Sequence, residues 1–209
     1  EPFCAYDPKA RRRMEIEKNV LTISEESHGL KVTVCYIILP GESIGALVRR
    51  VTVENTDGGA HDLEILDGMP QIIPYGIQNG QYKEMSNLFK SWADIKNMEA
   101  RAPFYTMRAS SDDSAEVSEI QGGYFYLAVR DGELQPVLYD KNVIFGWDHS
   151  MVNAVPFLEE GLSGVLAKEQ CFANKVPCGF IPVKAALGAG EGCEFTAFSG
   201  FAPSIELLN

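Results

Sequence analysis

Apolar and polar residues alternate with a period of two through the first third of the chain. Met14 to Ile23 alternates, with Met14, Ile16 and Val20 set against Lys18; Leu30 to Leu39 is rich in β-branched and aromatic residues; Leu47 to Glu54 alternates again, with Val48, Val51 and Val53 among its apolar positions. Period-two runs of this length predict strands. Turn chemistry separates them: Ser27-His28-Gly29, Pro40-Gly41-Glu42 and Asn55-Thr56-Asp57-Gly58-Gly59. His61 to Leu66 follows as a fourth strand, and Asp57-Gly58-Gly59 predicts a hairpin joining it to the third.

The period then changes. Between Gly80 and Ala100, Tyr82, Met85, Phe89, Trp92 and Ile95 fall at helical spacing, which predicts one helix with a single apolar face. Asn79 stands where an N-cap belongs, and Pro103 lies beyond the end. Strands resume at Phe104 to Ala109, Tyr124 to Val129, Val137 to Leu138 and Asn142 to Phe145; Gly146 to Gln170 reads as irregular or short-helical. Phe180 to Leu187 and Cys193 to Ser199 are the last strands, with a hairpin predicted through Gly188 to Gly192. The whole predicts a mainly β protein: one antiparallel sandwich domain over residues 1–209, with one prominent α-helix.

Composition narrows the function. At 209 residues and 45% hydrophobic, the chain can bury a core without staples. A net charge of −11 leaves no electrostatic footprint for nucleic acid. No apolar run reaches the ~20 residues that span a bilayer. Five cysteines, an odd number without zinc-knuckle spacing, read as free thiols of a cytoplasmic protein. The chain begins at Glu1 without a methionine, as an excised domain or a trimmed product would.

Candidate chemistry is sparse. Trp92 either stacks on a sugar or packs onto the sheet with its helix. Trp147-Asp148-His149 follows a predicted strand, and an aromatic ring beside a carboxylate and an imidazole could hold a sugar; a surface loop around a packed Trp has the same composition. His28 and His61 stand alone, Cys171 and Cys178 have no histidine partners nearby, and neither pattern is a metal site. Asp67, Asp112, Asp113, Glu116 and Glu119 are acid–base candidates by type only. The Asp67–Asn79 loop carries Pro70, Gln71, Pro74, Tyr75 and Gly76, and its Ile72-Ile73-Pro74-Tyr75 run reads either as an exposed partner surface or as buried under the helix.

Leu66 to Asn79 (Leu-Asp-Gly-Met-Pro-Gln-Ile-Ile-Pro-Tyr-Gly-Ile-Gln-Asn), Pro103 to Ser110 and Glu116 to Leu127 (Glu-Val-Ser-Glu-Ile-Gln-Gly-Gly-Tyr-Phe-Tyr-Leu) carry a resemblance. They resemble the N-terminal sandwich of the inverting phosphorylases of glycoside hydrolase family 94, nearest to those of β-1,2-linked glucooligosaccharides. The resemblance implies a galactose mutarotase-like supersandwich that packs on an (α/α)6 barrel. In such enzymes an aspartate of the barrel is the general acid, inorganic phosphate is the co-substrate and no cofactor is used. No segment here reads as that barrel, so no catalytic residue is carried over. What it implies for this chain is a non-catalytic, carbohydrate-associated domain whose Asp67, Gln71, Tyr75, Asn79, Trp147, Asp148 and His149 touch a β-linked glucooligosaccharide or the absent barrel, and which can join a homodimer. Two other readings stay open: a free-standing carbohydrate-binding module, and a mutarotase-like epimerase using His149 with Glu159 or Glu160.

Overall fold

A computed structural model describes residues 2–3, 7–77, 79–109 and 120–209, with the side chains of Asn79, Gln81 and Ser86 outside that description. The sequence candidates Asp112, Asp113, Glu116 and Glu119 therefore lie outside the described residues.

The first four strands form an antiparallel meander: β1 (Arg11–Ile16), β2 (Val20–Ser27), β3 (Leu30–Ile38) and β4 (Gly45–Asn55); the single strand expected over Met14 to Ile23 is instead two, because the chain turns back through Lys18 and Asn19, where Glu17 N donates to Val20 O (2.8 Å). The turn between β2 and β3 is two residues long. His28 and Gly29 both take positive φ, 52° and 75°, which is the hairpin geometry that matches strand twist. β4 then pairs with β11 (Gly192–Ala202), which pairs in turn with β8 (Gly123–Arg130). β7 (Phe104–Met107) and β6 (Ala93–Lys96) complete the sheet, and the short β9 (Glu133–Leu134) pairs with β8. Nine strands form this large sheet; β5 (His61–Met69) and β10 (Gly179–Leu187) form a separate antiparallel pair.

Alternation decides which sides meet. Val34, Val51, Val53, Phe195 and Ala197 of the large sheet share one buried cluster with Leu63 and Ile65 of β5 and Ile181, Val183 and Leu187 of β10. The chain is thus a mainly antiparallel β-sandwich, as the period-two pattern predicts. A third layer covers the outer side of the small sheet. There α3 (Lys141–Phe145) and α4 (Val155–Leu166) bury Val143, Ile144, Phe145 and Val165 against Leu66 and Phe180. A short 3-10 turn, Ile205–Leu208, packs with Phe104, Phe125 and Ala202 on the outer side of the large sheet.

Three further expectations are corrected. The Asp57-Gly58-Gly59 turn and the Gly188–Gly192 turn are not hairpins, because each carries the chain from one sheet to the other. They lie side by side and are joined by Asn55. Its buried amide Nδ2 donates to the carbonyls of Gly59 (2.6 Å), Leu187 (3.1 Å) and Gly188 (2.9 Å), and its backbone N donates to Glu191 O (2.8 Å).

The second correction concerns the single Gly80–Ala100 helix. The segment is α1 (Asn79–Glu84), α2 (Ser86–Lys90) and then β6. Met85 breaks the first turn at φ −125°, ψ 37°. Ala93 and Ile95 are buried while Lys96 is exposed, so the strand period was present under the helical one. Pairing to β7, with Ile95 N donating to Phe172 O (3.0 Å) on the other side, outweighs local helix propensity. The longest helical segment is instead α4, which is broken into two short helices at Gly161 (φ 68°). The third correction concerns Asn142–Phe145, which is helical in α3: Asp140 caps it, accepting from Asn142 N at 3.0 Å. A short apolar run such as Val143-Ile144-Phe145 does not distinguish a buried strand from a buried helix.

Candidate functional site

The open end of the sandwich's inner face brings together residues from five strands and one loop. Asp67 on β5 points across the gap to Arg49 on β4 and forms an ion pair with it. Arg49 Nε also donates to the Tyr36 hydroxyl (3.1 Å), with its guanidinium 5.8 Å from the Tyr36 ring centroid. Asp67 is only 15% exposed. Burial pushes its carboxyl up from the ordinary aspartate range, and Arg49 pulls it part of the way back. Tyr126, on β8, is buried close to the same group, and its hydroxyl has no hydrogen-bond partner among the described residues. Burial first, and then the Asp67 charge, pushes that phenol well up. Gly179 makes room for it: a Cβ there would meet the Tyr126 ring at 2.8 Å.

Register turns this polar group into an aromatic one. Arg49 is paired with Ala197, Tyr126 with Ser199, and Tyr124 with Phe201. At that last level the Asp67–Asn79 loop adds Tyr75. Its ring meets Phe201 at 4.7 Å, tilted, and Tyr124 at 5.6 Å, edge-on. Tyr75 and Tyr124 remain partly exposed, as do Leu47 and Ile38 on the same inner side. The inner side therefore carries aromatic edges and faces at one level and a guanidinium–carboxylate–phenol group two rungs further along it.

Within the loop, Ile72 and Pro74 are buried, Ile72 as part of the main core. The apolar run is thus mostly an anchor, and Tyr75 is its exposed member. Gln71 lies by the Tyr82 hydroxyl of α1 (3.4 Å), so it ties the loop to that helix. The Asn79 backbone opens α1, and its side chain lies outside the described residues.

Trp147-Asp148-His149 sits elsewhere, in the loop between α3 and α4. That layer packs on the side of the small sheet opposite to Asp67, so the two candidate groups are not brought together. Trp147 is 74% exposed, so the packed-Trp reading of this loop is corrected. Asp148 is buried and closes the loop on itself. Its carboxylate accepts from the Ser150 hydroxyl, from Ser150 N (2.8 Å), from Asn153 N (2.8 Å) and from Asn153 Nδ2 (3.1 Å). The Ser150 hydroxyl, and then the Asn153 N–H, hold its carboxyl down at about 2. His149 is exposed beside it. The other buried carboxylates are equally engaged: Asp140 with Lys175 (3.0 Å) and Cys171 N (3.1 Å), and Glu25 with Arg12 (2.6 Å) and Phe3 N (2.8 Å).

The sequence reading picked Asp67 and Tyr75 but not Arg49, Tyr36, Tyr124, Tyr126 or Phe201. A signal existed for Arg49, since Arg49, Val51, Val53 and Asn55 alternate onto the buried side of β4. The aromatic partners come from strands far apart in sequence, and no local pattern joins them.

Among the described residues no group of His, Cys, Asp or Glu is arranged to hold a metal ion, and no helix is long and apolar enough to cross a membrane. No protein-family model matches the chain, and no curated protein matches it. Solved structures do match. One is a chain provisionally named a kojibiose phosphorylase, from the human microbiome, with 7% identity and a TM-score of 0.37; the alignment covers 88% of this chain and 17% of that one. The chain thus spans well under two thirds of that protein's length.

Proposed function

We propose that this chain is a non-catalytic, carbohydrate-associated sandwich domain of a glycoside hydrolase family 94 type β-glucan phosphorylase, with β-1,2-linked glucooligosaccharide as the sugar of the parent enzyme. The observation that carries the reading is the inner-face site, where the Tyr75–Tyr124–Phe201 cluster and the Arg49–Asp67 pair share one side of the sheet, with the Tyr126 rung between them. A pyranose presents an apolar C–H face rimmed by hydroxyls. Aromatic surface beside a few fixed polar groups is the chemistry that such a ring requires. The sequence resemblance in the Leu66–Asn79 and Glu116–Leu127 segments supports the choice of family. Among the described residues, the engagement of the buried carboxylates by structural partners supports a binding role rather than acid–base chemistry. In this reading a barrel-bearing region is the domain's partner, inorganic phosphate is the parent enzyme's co-substrate, no cofactor is called for, and the setting is cytoplasmic.

Calorimetric titration with β-1,2- and β-1,4-linked glucooligosaccharides tests the reading. Binding is expected in the millimolar range, about −4 kcal/mol, and Tyr124→Ala is expected to abolish it. The chain alone is expected to release no glucose 1-phosphate from these sugars with phosphate. Turnover, or sugar binding indifferent to Tyr124→Ala, would overturn the proposal.

A further inference from the structure

β11 outruns the strand beside it. β8 pairs with β11 from Gly123, opposite Ala202, as far as Val129, opposite Thr196. There it stops: Asp131 and Gly132 take positive φ, 54° and 82°, and turn the chain back as β9 on the far side of β8. β11 runs on beside β4 for the four residues Gly192 to Phe195. Two bonds fix where their backbone groups point. Asn55 N donates to Glu191 O (2.8 Å), so by the alternation of antiparallel ladders Glu191, Cys193 and Phe195 turn their N–H and C=O groups to β4. Gln135 N donates to Ala128 O (2.8 Å), which gives Ala128 to β9 and sets Val129 and Thr196 facing each other. By either count, Gly192 and Glu194 direct their backbone groups to the place where a longer β8 would lie. Among the described residues no hydrogen-bond partner meets them there. An open recess of about 440 Å³ takes that place, with Arg130, Asp131 and Gly132 at its floor.

We propose that this recess takes an extended, basic segment of a partner protein, which joins the large sheet as a short strand in line with β8. Such a strand supplies partners to the N–H and C=O groups of both Gly192 and Glu194, in the mode by which peptides augment a sheet. Its side chains alternate between the two sides of the sheet. On the outer side they fall beside Glu194, whose carboxylate is steadied by the Thr52 hydroxyl (3.2 Å). An opposite charge directly across a rung stabilises the pair, which calls for lysine or arginine there. Asp131, 85% exposed, and the exposed Glu191 add negative charge to the rim. The arginines nearby leave that charge in excess: Arg130 donates inward to Lys184 O (2.8 Å), and Arg50 stands 3.8 Å from Glu194. A net charge of −11 draws a cationic segment in the same sense. On the inner side the added strand meets Cys193, half-buried against the core, where a small apolar residue belongs. The recess lies at the opposite end of β11 from Phe201, so it is separate from the aromatic cluster.

Nuclear magnetic resonance titration of the whole, isotopically labelled chain tests the proposal. The probes are a blocked pentapeptide alternating lysine with valine and its glutamate–valine counterpart. The lysine peptide is expected to shift the amides of Gly192 and Glu194, to slow their exchange, and to bind roughly tenfold tighter than the glutamate peptide. Methylating one alternate set of the peptide's backbone amides is expected to abolish binding, and methylating the other set to spare it. Glu194→Pro removes an N–H that faces the recess and none that faces β4, and is expected to abolish binding. Glu194→Lys keeps the backbone and is expected to reverse the preference between the two peptides. Neither peptide shifting Gly192 and Glu194 overturns the proposal, as does equal binding of the two methylated forms. Protection of the two amides that rises with protein concentration alone also overturns it, since a second copy then fills the recess.

Discussion

Asn55 is a single side chain whose loss reaches both sheets. Its buried amide satisfies the carbonyl of Gly59 in one crossover and those of Leu187 and Gly188 at the other. Asn55→Ala leaves those acceptors without their donor, and a buried orphan costs about 1–3 kcal/mol. A urea midpoint that falls accordingly, with an unchanged slope, is the expected result. A second residue-scale expectation concerns acid. The Asp148 carboxyl sits at about 2 in the folded chain, below its unfolded value of about 3.9. A carboxylate with a depressed folded pKa contributes stability that is full above the unfolded pKa and lost as pH falls through the folded one. Stability should therefore decline between about pH 4 and about pH 2, and Asp148→Asn should flatten that decline in melting curves. Neither role could be read locally. Asn55 looked like part of a turn, and Asp148 like a sugar ligand, because the partner carbonyls and amides appear only when the chain has folded.

At the scale of elements, period-two alternation was enough to find β3, β4, β10 and β11 but ran β1 and β2 together as one strand, and turn chemistry was enough for the His28-Gly29 hairpin. It was not enough to say which sheet a following strand would join, so both crossovers read as hairpins. Phe89 and Trp92 show a second limit. Their spacing is helical, but the chain turns at Ser91, whose hydroxyl bonds Leu88 O (2.5 Å), and leaves as a strand. Phe89 ends fully buried, with Trp92 edge-on to it at 5.5 Å and only half-buried. Phe89→Ala should accordingly cost about 3–5 kcal/mol, and Trp92→Ala clearly less, in parallel denaturant unfolding. Equal losses would mean that the two rings share one buried site.

For the whole molecule, stability should be graded across the large sheet. β4, β11 and β8 lie inside the sheet and carry much of the buried core, whereas β1 is exposed along its length and β6 is four residues long. Amide exchange should be slowest in β4, β8 and β11 and fastest at β1, because opening free energies follow burial and ladder position. Slow exchange along β1 in dilute solution would contradict that gradient. The architecture as a class was legible, since a sandwich is what many short alternating strands can build. The site was only half legible: the loop bearing Tyr75 stood out, while Tyr124 and Phe201 became its neighbours through pairing between strands distant in sequence.

The place of β11 also has a consequence during synthesis. Of the strands of this sandwich it is the last to leave the ribosome, yet it stands between β4 and β8. Until Gly192–Ala202 emerges, the β1–β4 meander has a bare edge on β4, and β8, already paired with β7 and β9, lacks the strand that joins it to that meander. Pairing so distant along the chain is slow to form and leaves the nascent sheet open to wrong partners in the meantime.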